Sequence, residues 1–210
     1  METGSLRQLG GADVVAEHLR TQIADIRLLP GDRLRQGALA SKLGVGKPAV
    51  REGLRQLSGE GLIDLVTLEG ARVRVVSRSS ARELLEMSAT LEGLAAKLSA
   101  LNMQELGRER LADAFDLTQS DQGTFITSNL GFHTLIGELS GNRELAREIR
   151  KTRLLITLFE LMARDRIEDP RQRQNEHLKI VEAIFGGRAS AAEQAMSCHV
   201  EACAETLLQP

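Results

Sequence analysis

Residues 43–62, LGVGKPAVREGLRQLSGEGL, constrain this chain more than any other stretch. A glycine turn runs into a short helix with Pro48 in its first turn, where a missing backbone donor does no harm. Lys47, Arg51 and Arg55 recur at i, i+4 and i+8, a basic stripe beside the apolar stripe of Val50, Leu54 and Leu57. Such a helix packs one side on a small core and turns cations and turn-end amides toward phosphate oxygens. The pattern predicts the recognition helix of a DNA-binding head.

The flanking residues complete that head. In residues 12–28, Val15, Leu19, Ile23 and Ile26 fall at helical spacing, and Pro30-Gly31 breaks the pattern. LRQGALASKL predicts a second short helix with Leu39, Ala40 and Leu43 inward, closed by Gly44 as a C-cap. After the third helix the period drops from 3.6 to 2. LIDLVTL and ARVRVVS read as two strands joined near Glu69-Gly70, with Val73 and Val75 on the side opposite Arg72 and Arg74. Three helices and a hairpin make a winged helix-turn-helix over residues 1–77, whose Gly70 tip approaches the DNA backbone or minor groove.

The polar junction SRSS at residues 77–80 leads into a chain that reads helical throughout. The expected segments are 81–101, 103–119, 122–139, 143–164, 170–186 and 188–207, separated by Ser140-Gly141-Asn142, Asp169-Pro170 and Gly186-Gly187. The fold class is therefore mostly α: the winged head, then an antiparallel all-helical bundle over residues 78–210. Charge follows the same division. Residues 1–78 hold 12 Lys and Arg against 9 Asp and Glu, and the remainder holds 15 against 20. A basic front and an acidic back fit a head that touches a polyanion and a body that does not. With 2% aromatics and no Trp or Tyr, stacking platforms for single-stranded nucleic acid are not expected. Cys198 and Cys203 form no disulfide framework, and no secretory or membrane-spanning run is present, so a soluble cytoplasmic protein is expected.

Histidine placement is uneven. His18 lies in the first head helix, where a surface or packing role is the default. His133 follows Phe125, Asn129 and Phe132 and precedes Ile136. His177 opens a stripe continued by Ile180, Val181 and Ile184, and His199 shares a face with Ala195, Met196 and Cys203. Any one of these alone reads as a satisfied core histidine. Three helices each turning one imidazole inward read as a divalent transition-metal site, for zinc, nickel or manganese, with the Asn129 amide oxygen one turn from His133. These ligands carry no charge, so an anion is expected to complete the shell, making the metal a receptor element for a small carboxylate effector. Cys203, one turn after His199, reads as a core thiol.

The whole chain resembles the GntR family of bacterial transcription regulators, in the FadR-type subgroup with an all-helical FCD effector domain. The head carries this resemblance at Pro30-Gly31-Asp32-Arg33-Leu34, Leu39-Ala40, Leu43-Gly44-Val45, Val50-Arg51-Glu52, Leu54, Leu57 and Gly61-Leu62. In the body it rests on Leu91-Glu92-Gly93-Leu94-Ala95-Ala96, Phe132-His133, Ser140-Gly141-Asn142, Glu176-His177, Ile180, Ala183-Ile184, Met196 and His199. The resemblance implies a homodimer on a palindromic double-stranded operator, with an effector in the bundle altering the geometry of the two heads. It also implies a metal held by a D-x3-H pair and two later histidines, which fall on Asn129, His133, His177 and His199. Asn129 stands at the aspartate's place and brings oxygen without charge.

Other positions depart from the family pattern. Gly46-Lys47-Pro48-Ala49 stands where Ser-Arg-Thr-Pro is usual, and lysine lacks arginine's bidentate fork for guanine. Gly37 replaces a basic residue, and Glu69 places a carboxylate beside the wing tip. The arginine expected near the pocket is Ser88, so a carboxylate clamp would come from Arg150, Arg153 or another residue. Two alternatives remain: a metal-free regulator sensing an acyl-coenzyme A or other organic ligand, and a metal-dependent hydrolase. Against the hydrolase, no HExxH occurs, and Glu176 points about 100° from His177 on its helix.

Overall fold

The computed structural model describes residues 10–66, 70–119, 125–163 and 170–209, with backbone alone for Pro170 and Arg171. The chain divides after Val75 into two compact units. No helix among the described residues is long and apolar enough to cross a membrane.

In the first unit, α1 (Gly11–Ala24), α2 (Gln36–Leu43) and α3 (Lys47–Gly59) are joined by β1 (Arg33–Leu34), β2 (Ile63–Val66) and β3 (Gly70–Val73). Val15, Leu19 and Ile23 of α1 are buried, as are Val50, Leu54 and Leu57 of α3. The two helices cross tightly at Gly53, where a Cβ would lie 2.7 Å from the Ala12 carbonyl oxygen and 2.8 Å from the Val15 Cβ. Glycine is required there for close approach rather than for backbone freedom. Arg20 ties α1 to the end of α3 through a two-pronged contact with Glu60, 2.9 and 2.5 Å long. Gly44 adopts φ 64 at the C-cap of α2, the left-handed turn that starts the approach to α3.

The first unit departs from the sequence pattern at several points. α1 ends at Ala24, and Ile26 lies beyond it at φ 57, outside the helical stripe. Leu39, Ala40 and Leu43 are only half-buried, because a two-turn helix beside α3 has too little partner surface to cover them. A strand unseen in the sequence, β1, pairs with β3 (Arg33 with Arg72, Leu34 with Ala71), giving the antiparallel order β1-β3-β2. In β3 the inward residues are Ala71 and Val73, whereas Val75 lies past the strand and is 53% exposed. Residues 67–69, among them Glu69 where the joint between the two strands was expected, lie outside the described residues.

In the second unit run α4 (Arg78–Asn102), α5 (Glu105–Thr118), α6 (Phe125–Leu139), α7 (Arg143–Met162), α8 (Pro170–Phe185) and α9 (Ala189–Leu207). The expected segments agree closely, with one informative shift. α4 begins three residues earlier than the expected 81, because the Ser77 hydroxyl accepts the Ser80 amide at 3.2 Å and caps the helix. The serine junction is thus part of the helix start rather than a linker. Residues 122–124, expected in α6, and 164, expected in α7, lie outside the described residues. Asn142 caps α7 by accepting the Leu145 amide. α4 and α9 pack at Gly93, whose missing side chain leaves room for the Ser197 hydroxyl and the Glu193 carbonyl. Leu85, Ile136, Ile149, Ile180, Ile184 and Met196 are part of the apolar core. That core surrounds an unusual set of buried polar groups.

Candidate functional site

On α3 the two predicted stripes separate as expected. Val50, Leu54 and Leu57 are buried, whereas Lys47, Pro48, Arg51 and Arg55 are exposed. The helix starts at Gly46 with an extended backbone, no side-chain cap and Pro48 in the first turn, so its amide end is presented with the cations. Arg55 also pairs with Glu52 at 3.0 Å, an exposed contact on the same helix. Gly70 opens β3 at φ 96.

In the second unit His133 of α6, His177 of α8 and His199 of α9 come together, and all three are buried. The Nε2 atom of His199 lies 3.2 Å from that of His177 and 3.3 Å from that of His133. Phe132 stacks on His177 with ring centroids 4.4 Å apart. The three ligand nitrogens lie within 4.8 Å of one another, close enough to share one divalent ion.

The opposite ring nitrogens are held from outside. Nδ1 of His133 lies 2.6 Å from Glu92 and 2.8 Å from Arg153. Nδ1 of His177 faces the Thr118 hydroxyl at 3.5 Å, and that hydroxyl donates to the Phe115 carbonyl at 2.7 Å. Nδ1 of His199 lies 2.8 Å from the Glu176 carboxylate. A proton on Nδ1, donated to these oxygens, would leave Nε2 of His133 and His177 a lone pair for a metal, whereas His199, whose imidazolium is favoured, must first give up its Nε2 proton.

A buried ion pair supports the first of these contacts. Arg153 grips Glu92 with two hydrogen bonds, Nε to Oε1 at 2.6 Å and Nη2 to Oε2 at 2.7 Å, and the Ser88 hydroxyl donates to the same carboxylate. Burial favours the neutral acid, but Arg153 and His133 hold the Glu92 carboxyl well below the usual range. Burial and the Arg153 charge lower His133 to about 3, and burial with the neighbouring cations takes His177 down as well. Burial opposes charge on His199 too, but Cys203, whose Sγ is 3.9 Å from Nε2, and Glu176 raise it to about 9.

Asn129 is buried one turn before His133, and its Oδ1 has no hydrogen-bond partner among the described residues. An orphaned amide oxygen on that stripe fits the fourth protein ligand that the resemblance implies. Of the clamp candidates, Arg150 is exposed and Arg153 is engaged by Glu92. Sequence reasoning missed Glu92, Thr118, Arg153's pairing and Glu176's role. Glu176 does point away from His177, as its spacing requires, but toward His199 on the next helix. Adjacent Glu-His on α8 was the available signal. His18 in α1 is part of neither constellation; burial lowers its pKa.

A winged helix-turn-helix followed by a helical body with a buried three-histidine centre defines a DNA-binding transcriptional regulator. The comparisons with known proteins agree. Residues 12–73 match the model for bacterial regulatory proteins of the gntR family, and residues 83–202 match the FCD domain. The chain belongs to the GntR family of transcriptional regulators, with an FCD domain as its second part, and it is not an enzyme. Among its relatives is a probable D-xylose utilization operon transcriptional repressor of Paenarthrobacter nicotinovorans, 28% identical over 91% of this chain and 86% of that protein. The HTH-type transcriptional repressor RspR of Escherichia coli K12 is 22% identical over 91% and 86%. The structure of E. coli McbR/YncC superposes with TM-score 0.81 at 19% identity, covering 95% of this chain and 98% of that one, a likeness of fold. Family membership sets aside the hydrolase alternative.

Proposed function

We propose that this chain is a repressor that binds an inverted-repeat operator as a homodimer and responds to a small carboxylate effector bound at a metal in its helical domain. In this reading residues 1–77 bind DNA. Lys47, Pro48, Arg51 and Arg55 meet the major groove and its phosphates, and Gly70 lets the wing approach the backbone. Residues 78–210 hold the effector site and the dimer contacts. The names of two relatives, both called repressors, support repression, and action on DNA fits a cytoplasmic protein.

The observation that carries the effector site is the convergence of three Nε2 atoms whose Nδ1 partners are already engaged. His133, His177, His199 and Asn129 would hold a divalent zinc, nickel or manganese ion. When bound, that ion supplies positive charge at which an effector carboxylate is fixed. Once a metal displaces the His199 proton, the imidazoles and the amide are neutral donors, so an anionic ligand balances the site. The effector must prefer one head arrangement over the other, since equal affinity for both would shift nothing. Support for the homodimer comes from α4, where Met87, Leu94 and Leu101 stand at heptad spacing and are exposed.

Operator binding by the full chain tests this reading. A carboxylate panel applied to the metal-loaded protein is expected to change its affinity for an inverted repeat, and chelation is expected to remove that response. A response unaffected by chelation would contradict the metal's part.

A further inference from the structure

Arg173 of α8 has no exposed surface. A guanidinium stays charged in proteins and carries five N–H donors in a planar fork. Here Nε, Nη1 and Nη2 all lack a hydrogen-bond acceptor among the described residues. The Glu160 carboxylate approaches Nη1 only to 3.8 Å, beyond hydrogen-bond length, and is its only ion-pair partner among the described residues. The Phe125 ring lies beneath the guanidinium, 5.2 Å from its carbon. Burial pushes the Glu160 carboxyl up, against the opposing pull of Arg173 and Arg153. Buried polar groups are almost always partnered, and an orphaned buried cation is the costliest exception.

Its position gives this exception a meaning. Arg173 precedes His177 by one turn of α8, while Phe125, Asn129 and His133 occupy successive turns of α6. The faces that carry the imidazoles therefore continue to the unpartnered donors of Arg173. The neighbouring buried arginine is not equivalent, because both prongs of Arg153 are engaged by Glu92.

We infer that Arg173 is the receptor for an anionic group of the effector, a carboxylate or a phosphate whose paired oxygens fill the open guanidinium fork. The inference rests on the proposed effector site and adds to it the residue that selects the ligand. An effector reaching both the histidine centre and Arg173 carries two separated anionic groups. Ligands of that kind are preferred over monocarboxylates, which satisfy one end alone.

The test uses the full chain, wild type and with Arg173→Met or Arg173→Lys. Each protein is titrated calorimetrically with acetate, succinate, citrate and inorganic phosphate at constant ionic strength, and metal content is measured on the same samples. At least one of the three multivalent anions is expected to bind the wild type more tightly than acetate. Arg173→Met should weaken that anion on the order of tenfold or more and narrow its preference over acetate, leaving metal content unchanged. Arg173→Lys, which keeps the charge without the fork, should retain part of the affinity. No preference over acetate in the wild type, or equal affinity in Arg173→Met, overturns the assignment. A wild type without metal whose anion binding still depends on Arg173 sinks the metal reading and keeps this one. Metal-loaded protein indifferent to Arg173 does the reverse.

Discussion

The carboxylate of Glu176 on α8 lies 2.8 Å from Nδ1 of His199 on α9, so one helix sets the ring orientation of an imidazole on the next. Its neighbour His177 contributes the other side of the same centre, with the two Nε2 atoms 3.2 Å apart. Two consecutive residues of α8 thus serve the site in different ways, one facing the imidazoles and one bracing them from behind.

Replacing that brace should weaken metal binding without unfolding the domain. Glu176 is only partly buried, so the glutamine of Glu176→Gln keeps access to solvent. Exchanging the charged carboxylate behind a ligating histidine for a neutral amide lowers metal affinity by about 10–100-fold. Competition with a chelating indicator dye measures this, and circular dichroism should show unchanged helix content.

Glu92 and Arg153 make the opposite case, since both are buried and each satisfies the other. Removing one partner strands a charge in the core. Glu92→Ala should therefore destabilise the helical domain by about 3–5 kcal/mol. Breaking the exposed Arg147–Glu144 pair should change stability by at most about 1 kcal/mol. Chemical denaturation of the two variants separates these outcomes, and similar losses would show that the buried pair is not the stronger constraint.

Arg51 is exposed on α3 between Lys47 and Arg55. If it contacts a phosphate, Arg51→Ala should weaken all DNA sequences alike and reduce the salt slope of binding by about 1. If it reads a base, the loss should be about 1–3 kcal/mol and concentrated at one operator position. Fluorescence anisotropy across salt concentrations checks both, and an unchanged affinity would remove Arg51 from the interface.

Local patterns were legible in the sequence wherever one helix decides the outcome. The basic and apolar stripes of α3, the left-handed cap at Gly44 and the inward face of each of the three histidines all follow from spacing within a single element. Features made by two elements were not legible. β1 is two residues long, too short to show a period, and exists through its pairing with β3. Val75 continued an alternation that the sheet does not continue. The burial of Glu92, Arg153 and Arg173 was not legible, because it depends on partners far along the chain. Ser88 faces inward where an arginine was expected, and its hydroxyl joins the Glu92–Arg153 pair instead of leaving a gap.

The most direct measurement is metal content per chain, made on protein purified without added metal or a metal-binding tag, for the wild type and His177→Ala. The account predicts about one equivalent in the wild type and its loss in the variant, given that His177 supplies one of three converging donors. A wild type that stays metal-free after reconstitution with zinc, nickel and manganese would contradict it and turn the search toward acyl thioesters or other organic ligands. Full occupancy in His177→Ala would contradict the assignment of that ligand.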